Sequence, residues 1–436
     1  MKNILFLLLT LTVSSTQAAL PIQSWSLENG ARVLFIENHT IPMIDVSISF
    51  DAGARRDPPG KSGVAAITRG MLARGVAALS DEPELNEAQF SDALADTAAQ
   101  LGGSAGSDRA SVSLRTLSSQ KESAAAILLL ARMMAHPAFT DTVVAREKVR
   151  TIASIRESDT KPAAIAGKAF MRAMYDTHPH AQMPTPDSVE AIDQYDLQAF
   201  HRTHYVAGRA VIAIVGDVTK VQADVIAREL VKRLPAAKAE LPTLPEVGLA
   251  QARTERIAHP ASQSHILLGM PSLQRGDPDY FALMVGNYVL GGGGFVSRLM
   301  NEVREKRGLT YGVSSSFQPM KQQGPFQISL QTKKEQTEEA LKVTRDTLAA
   351  FLHEGPTESE LKAAKDNMIG GFALHIDNNK KMLDNLATIG YYGLPLDYLD
   401  KWKDNVAKVT KEDVLAAFQR KLALDRMVTV IVGTPE

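Results

Sequence analysis

Apolar and polar residues alternate along the chain in two periods, one typical of strands and one typical of helices. Two apolar runs flank an Asn-Gly pair within residues 24–38, which predicts a β-hairpin. Period-two alternation predicts strands at 45–50 and 110–115, and a short apolar run predicts a buried strand at 211–216. Helical spacing predicts helices in the ranges 63–75, 86–100, 122–135, 141–158, 188–205 and 221–234.

The pattern of the first half returns in the second half in the same order. Residues 46–58 match residues 266–278 in strand pattern and in a closing Asp-Pro pair, and residues 211–216 match residues 428–433. The helical segments near 123–141 and 338–358 also correspond. These matches predict two homologous α+β domains, each a mostly antiparallel sheet packed against helices on one face. The predicted ranges are 20–235 for the N-terminal domain, 236–255 for a linker and 256–436 for the C-terminal domain.

One stretch of the second half combines a glycine run, a helix and a strand pattern. The glycine run opens the helix, and Gly308 is expected to end it, because glycine is favoured just past a helix C-terminus. Arg304 falls on the flank of the apolar face, and Tyr311 lies in the alternating segment that follows. The glycines are Gly291, Gly292, Gly293 and Gly294, and the expected buried face consists of Val296, Leu299, Met300 and Val303.

Composition narrows the class of protein. The chain has 436 residues, is 44% hydrophobic and carries a net charge of −1, which is typical of a globular protein and argues against nucleic-acid binding by bulk electrostatics. It contains no cysteine, so it has neither disulfides nor a cysteine metal site. Residues 1–19 have the charge, apolar core and small-residue cleavage site of a signal peptide, although a buried or anchoring N-terminal helix is the alternative. Export without disulfides suits a bacterial periplasm.

The run from Ser297 to Tyr311 resembles the C-terminal-domain motif of the zinc peptidase superfamily that includes pitrilysin, insulin-degrading enzyme and the mitochondrial processing peptidase. The resemblance implies two homologous halves that face each other across a cleft. It implies that Arg304 and Tyr311 bind substrate near the scissile bond and that the glycine run is a mobile loop over the peptide. It also implies that the strand at 110–114 pairs with an extended substrate.

The first half lacks the zinc ligands and the general base that members of this superfamily carry. Family members carry H-x-x-E-H on a helix, in which two histidines bind zinc and the glutamate is the general base. Here Ala66 and Gly70 stand at the histidine positions and Arg69 stands at the glutamate position. The best alignment places Ser154 at the third ligand, with Glu147 and Glu157 nearby. Alanine and glycine offer no ligand atom and arginine is a permanent cation, so we expect this chain to bind no metal.

Two close histidine pairs are the other candidates for a metal site. His178 and His180 flank a proline in a turn, and His201 and His204 are three residues apart on a predicted helix. No third ligand accompanies either pair in the sequence, so surface histidines are the expected interpretation.

Two functions from different classes fit these observations. In the first, the chain is a non-catalytic subunit of a heteromeric zinc peptidase, and Arg304 and Tyr311 hold a peptide at a zinc site carried by a homologous sister subunit. In the second, the chain is an inactive peptide-binding or scaffold protein, and the Arg/Tyr pair is residual. A stand-alone peptidase is disfavoured by the lost motif. Arg298, expected on the outward face of the helix, would serve as a neutral control for substitutions of Arg304.

Overall fold

A computed structural model describes residues 21–434 except 80, 81 and 238. The predicted signal peptide lies outside the described residues. Among the helices of the described ranges, none has the length and apolar character required to cross a membrane.

The first half of the chain builds a six-stranded sheet with the order β1-β2-β8-β3-β7-β6. The predicted hairpin is confirmed as the antiparallel pair β1–β2, and the central strand β8 is buried, as its apolar run predicts. Strand β3 is buried on both faces, including Ser47 and Ser49, although its alternating pattern is typical of a half-buried strand. Only β2 and β8 run parallel. A separate pair, β4 (Gly75–Val76) and β5 (Leu85–Asn86), lies outside this sheet. The sheet strands are β1 (Gln23–Ser26), β2 (Arg32–Glu37), β3 (Met43–Phe50), β6 (Gln100–Gly102), β7 (Ala110–Leu117) and β8 (Val211–Gly216).

The second half repeats this topology in a five-stranded sheet with the order β11-β12-β10-β13-β9. Its one parallel pair, β9 and β13, corresponds in position to β2 and β8 of the first sheet. Strands β10 and β13 include the segments that the sequence comparison matched to β3 and β8, so the internal repeat is also a repeat of strand order. The strands are β9 (Arg253–Ala258), β10 (Gln263–Leu273), β11 (Val313–Phe317), β12 (Gly324–Lys333) and β13 (Val428–Thr434). The predicted α+β class is confirmed.

Most helices pack on one face of the sheet that belongs to their own half, where apolar side chains form two large cores. The predicted helix over 86–100 ends earlier, at Asp96, because the chain turns at Ala98 with a φ of 52° and enters β6. The helices of the first half are α1 (Val64–Met71), α2 (Glu87–Asp96), α3 (Gln120–Ala135), α4 (Asp141–Ser158), α5 (Pro162–Tyr175), α6 (Pro186–Glu190), α7 (Gln194–His204) and α8 (Lys220–Val231). Those of the second half are α9 (Tyr280–Asn287), α10 (Thr337–Glu354), α11 (Glu358–Gly371), α12 (Asn379–Tyr392), α13 (Trp402–Lys408) and α14 (Lys411–Lys421).

Each half donates one helix to the opposite face of the other half's sheet, which the sequence patterns did not predict. Helix α12 packs on β2 and β8 through Leu383 and Leu386, which contact the cluster around Leu34. Helix α5 packs on β13 and β10 through Ala169 and Phe170. Burial of apolar surface between halves stabilises their relative arrangement, because each exchanged helix belongs to one domain and is covered by the other.

A buried polar cluster also joins the halves. Asp108 of the first half accepts hydrogen bonds from the Tyr392 hydroxyl at 2.8 Å and from the Lys321 backbone N–H at 2.8 Å. The Tyr391 hydroxyl donates to the Asp108 carbonyl oxygen at 2.7 Å. Arg55, which is buried, lies 3.4 Å from the Asp108 carboxylate. Because these groups are withdrawn from water, removing one partner would leave the others unsatisfied.

Candidate functional site

The glycine run lies in helical turns, and Gly291 is packed closely against strand β11. Helix α9 continues into a π-helical turn at Tyr288–Gly292, and a 3₁₀ turn follows at Gly294–Val296. A Cβ atom added to Gly291 would lie 2.5 Å from Ser315 Oγ and 2.6 Å from the Ser315 backbone nitrogen. Glycine is therefore required at Gly291 by the close approach of strand β11.

The helix after this run has the predicted end and most of its predicted buried face. Leu299, Met300 and Val303 are buried, and the turns at Met300–Glu305 are π-helical. Gly308 adopts a φ of 63°, and its N–H donates to the Arg304 carbonyl oxygen at 2.8 Å, which is the expected glycine stop. The prediction for Val296 is wrong: its side chain is 75% exposed, because the 3₁₀ turn places it before the helix proper.

Arg304 presents its guanidinium at the surface beside an aromatic ring that sequence patterns did not single out. Its Nη1 atom donates to Glu305 Oε1 at 2.7 Å, and its guanidinium carbon lies 4.7 Å from the centre of the Phe295 ring. Phe295 itself is 68% exposed, so the ring has an open side in addition to its contact with the arginine. The signal for Phe295 in the sequence was weak, since an apolar residue after a glycine run is expected to be buried.

Tyr311 lies in a turn before the strand and not within it. Strand β11 begins at Val313, while Tyr311 is 86% exposed and its hydroxyl makes no hydrogen bond to the described residues. The Thr310 hydroxyl fixes the turn by donating to the Gln331 carbonyl oxygen at 2.6 Å and by accepting from the Gly312 N–H at 3.0 Å. Tyr311 borders a cavity of about 420 Å³ whose wall includes Ser314, Ser329 and Gln331. No hydrogen bond joins Tyr311 to Arg304 in the described chain.

The positions of the lost zinc motif line a small cavity of about 150 Å³ on α1. Ala66 and Gly70 contribute to its wall together with Glu147 and Thr151 of α4. Ser154 is exposed and does not line this cavity. The structure therefore favours Glu147, the neighbouring acid, over Ser154 as the position that corresponds to the third ligand.

Glu147 is surrounded by three arginines. Its carboxylate Oε1 lies 2.9 Å from Arg146, 3.2 Å from Arg150 and 3.7 Å from Arg74. Three guanidinium groups around one carboxylate compensate its charge and oppose binding of an additional cation.

Arg69 has acquired a structural role. Its Nε atom donates to the Ser111 carbonyl oxygen at 2.7 Å, and its Nη2 atom donates to the Gly102 carbonyl oxygen at 2.5 Å. These bonds tie α1 to β7 and to the edge strand β6. Burial lowers the pKa of Arg69 from its ordinary value, although arginine stays charged. The side chain does not line the cavity beside Ala66 and Gly70.

The four histidines of the two pairs are buried, which corrects the expectation that they lie at the surface. His201 Nε2 contacts the Met134 carbonyl oxygen at 2.7 Å, and His204 Nδ1 contacts the Asp51 carbonyl oxygen at 2.7 Å. His178 and His180 are buried together, and burial lowers the pKa of His180 to about 4. In the part of the chain that the structure covers, no group of three His, Cys, Asp or Glu side chains is arranged to hold a metal ion.

Two further expectations need correction. Strand β7 is flanked by β3 and β6, so the segment 110–114 is not a free edge; the edge on this side is β6 (Gln100–Gly102).

Arg298 does not project outward. It forms a bidentate pair with Glu360 at 2.8 and 2.7 Å and donates to the Gly355 carbonyl oxygen at 3.0 Å, so it is a structural residue and an unsuitable neutral control.

Similarity to known families covers both halves. Residues 32–184 match the model described as Insulinase (Peptidase family M16), and residues 191–368 match the model described as Peptidase M16 inactive domain. Among solved structures, a peptidase M16 inactive domain from Pseudomonas fluorescens is 37% identical, with a TM-score of 0.90 over 95% of this chain and 98% of that chain.

Two curated relatives bear different descriptions. An uncharacterized zinc protease of Streptomyces coelicolor is 30% identical over 253 residues, which are 57% of this chain and 55% of that protein. The chain thus spans little more than half the length of this relative. A Helicobacter pylori protein named non-peptidase homolog YmxG is 22% identical over 88% of this chain and 87% of its own length. With both family models matched and the H-x-x-E-H positions occupied by Ala66, Arg69 and Gly70, the chain belongs to the M16 peptidase family, in the pitrilysin superfamily, as a member of the non-catalytic type.

Proposed function

We propose that this chain is the substrate-binding, non-catalytic subunit of a heteromeric zinc metallopeptidase. The observation that carries the proposal is the contrast between two surfaces. Helix α1 offers no zinc ligand at Ala66 or Gly70, whereas Arg304 is partly exposed and Tyr311 is exposed, next to the buried residues Met300 and Val303. A homologous sister subunit would supply the zinc ion and its activated water.

Arg304 would hold the carbonyl oxygen of the peptide that faces the zinc site. A guanidinium donor suits this role because charge-assisted hydrogen bonds are stronger than neutral ones, and an oxygen that gains negative charge in the transition state benefits most. The Phe295 ring, 4.7 Å from the guanidinium carbon, restricts the positions that Arg304 can take. Glu305 holds Nη1, which leaves the remaining N–H groups of Arg304 for a peptide.

Tyr311 would contribute a second donor. Its hydroxyl has no hydrogen-bond partner in the described chain, and the cavity beside it is bordered by both apolar side chains and the polar side chains of Ser314, Ser329 and Gln331. Such groups can bind the backbone of an extended peptide without selecting a particular side chain. The substrate class is therefore peptides, and the expected site of action is the bacterial periplasm, following the signal-peptide pattern at residues 1–19.

A scaffold or peptide-binding protein without a role in catalysis is the second candidate. The ion pair between Arg304 and Glu305 supports it, because this arginine already has a partner on its own helix. The name of the Helicobacter pylori relative, non-peptidase homolog, points the same way.

Reconstitution separates these candidates. We expect the purified chain alone to hold no stoichiometric zinc and to cleave no peptide, and we expect chelator-sensitive cleavage when it is combined with a co-purifying sister that has an intact H-x-x-E-H motif. The sister alone should be markedly less active. One tightly held zinc per chain, with cleavage by this chain alone, would contradict the subunit role. A sister that is fully active by itself would favour the scaffold.

A further inference from the structure

A cavity of about 610 Å³ opens in the second half between α9, α11, α12 and the segment leading into α13. Its volume is typical of small-ligand sites. It is a different place from the surface that carries Arg304 and Tyr311, neither of which lines it. A ligand could therefore occupy this cavity whether or not the chain is a peptidase subunit.

Aromatic side chains form much of the wall. Phe372 and Trp402 are stacked, with their ring centres 4.8 Å apart, and Tyr280, Tyr288 and Tyr398 also line the cavity. Aromatic walls favour a ligand with a flat apolar body, because offset and edge contacts between rings add to the gain from burying apolar surface.

One cation lies in this wall with no acidic partner. The Arg275 guanidinium carbon is 5.9 Å from the centre of the Tyr280 ring and 5.3 Å from that of Tyr392. Its side chain makes no ion pair or hydrogen bond with the described residues, and its Nε atom is buried. The acid that also lines the cavity, Asp384, is paired with Lys380 at 2.7 Å. A partly buried guanidinium held between rings is therefore available to a carboxylate.

We propose that this cavity binds an aromatic carboxylate, with the acid group on Arg275 and the ring against the stacked pair Phe372 and Trp402. This chemistry occurs at the C-terminal residue of a peptide that ends in an aromatic side chain, and also in a free aromatic acid. Both present one anionic group next to one ring. Two of the amides around the cavity are less available, since Asn287 and Asn385 already donate to carbonyl oxygens of the chain.

Trp402 offers a direct measurement. The sequence has two tryptophans, so a Trp25→Phe variant of the full chain leaves Trp402 as the only one. We expect N-acetylphenylalanine to change its fluorescence saturably and N-acetylphenylalaninamide, which lacks the charge, to bind at least ~10-fold more weakly. Equal affinity for acid and amide, or no saturable change with either, would overturn the proposal. This comparison leaves Arg275 intact and does not depend on how a substitution there folds.

A substitution tests whether Arg275 binds the carboxylate, and a second comparison of ligands tests whether the ligand is a peptide end or a free acid. Arg275→Gln should lower the affinity for the acid to that for the amide, whereas Arg253→Gln, which removes an exposed charge of the same sign on β9, should leave it unchanged. An unchanged affinity in a folded Arg275→Gln protein would refute the assignment. Saturable binding of an alanine peptide with a free C-terminal phenylalanine identifies the site as one for chain ends, and binding of the single acid alone identifies it as one for free acids.

Discussion

The two halves of the chain repeat one strand order but use their surfaces differently. In the first half, the face of α1 that would carry the zinc ligands presents only Ala66 and Gly70. The arginine between them, Arg69, donates hydrogen bonds to carbonyl oxygens of two strands. In the second half, Arg304 is partly exposed and Tyr311 is exposed, and neither side chain is hydrogen-bonded to a strand of the described chain. The first half has converted a reactive position into a structural one.

The halves also differ in buried titratable groups. The four buried histidines, His178, His180, His201 and His204, all belong to the first half. Buried neutral imidazoles make stability depend on pH, because burial opposes the charged form. A repeated topology therefore does not imply a repeated response to acid.

Acid should weaken the first half more than the second, and this is the largest expected effect. Burial lowers the pKa of His180, His201 and His204 to about 4 from an ordinary value of 6.5. Below pH 6.5 these histidines bind protons in the unfolded chain but not in the folded chain. Their contribution to the free energy of unfolding is therefore complete above pH 6.5 and is lost as the pH falls toward 4. Burial raises the pKa of Asp57 to about 6, which partly offsets this loss because the folded state takes up that proton first.

We expect a net decrease of about 5 kcal/mol in the free energy of unfolding between about pH 7 and about pH 4.5. Chemical denaturation at the two values measures the total, and hydrogen exchange locates it, with β3 and β8 losing protection before β10 and β13. Replacing His201 by Gln should remove part of the acid sensitivity. Equal stability at both pH values, or earlier exchange in the second sheet, would contradict the predicted asymmetry.

The proposed role of Arg304 and Tyr311 in peptide cleavage is tested in a complex with a zinc-bearing sister. There, Arg304→Ala or Tyr311→Phe should reduce peptide turnover about 10²–10³-fold, because each removes a donor to charge that develops in the transition state. The elution position of the complex should not change, since the proposed function places both side chains against the substrate and not against the sister. Peptide cleavage rates and size-exclusion chromatography measure the two effects.

The structure supplies a better control than Arg298. Lys306 is exposed and pairs with Glu302 one turn away, so Lys306→Ala removes a charge from the same helix end without loss of a buried contact. It should leave turnover nearly unchanged. If Arg304→Ala had no more effect than Lys306→Ala, or if it dissociated the complex, the arginine would be structural and the scaffold function would be favoured.

Sequence patterns were sufficient where local chemistry decides the structure. The Asn-Gly hairpin, the alternation in β7 and the stop at Gly308 depend on nearby residues, and each is confirmed. The exchange of α5 and α12 between halves was not predictable, because an apolar helix face does not specify which sheet covers it. The exposure of Val296 is set by the 3₁₀ turn at Gly294–Val296 and the turn at Tyr311 is set by the Thr310 hydrogen bonds, which periodicity does not register.

Arg69 tests whether the old general-base position now supports the sheet. Arg69→Met should lower the free energy of unfolding by ~2–4 kcal/mol, because two charge-assisted hydrogen bonds to buried or partly buried carbonyl oxygens are lost. Denaturant titration measures the change. Ala66→Ser on the exposed face of the same helix is the matched control and should stay within about 0.5 kcal/mol of the parent. If Arg69→Met left the free energy of unfolding unchanged, these hydrogen bonds would contribute nothing to stability.

The smallest expected effect comes from a glycine of the first half, and a glycine of the second half provides the contrast. Gly70 is exposed within α1, and a Cβ atom added there meets nothing within 4 Å, so Gly70→Ala should raise the free energy of unfolding by ~0.5–1 kcal/mol through the lower entropy of the unfolded chain. Gly291→Ala should be destabilising instead, because its Cβ would lie 2.5 Å from Ser315 Oγ. Thermal unfolding of the two variants measures the opposite signs. If Gly70→Ala destabilised the protein or reduced turnover in the complex, the old histidine position would still need an open surface, and the assignment of function to the second half alone would fail.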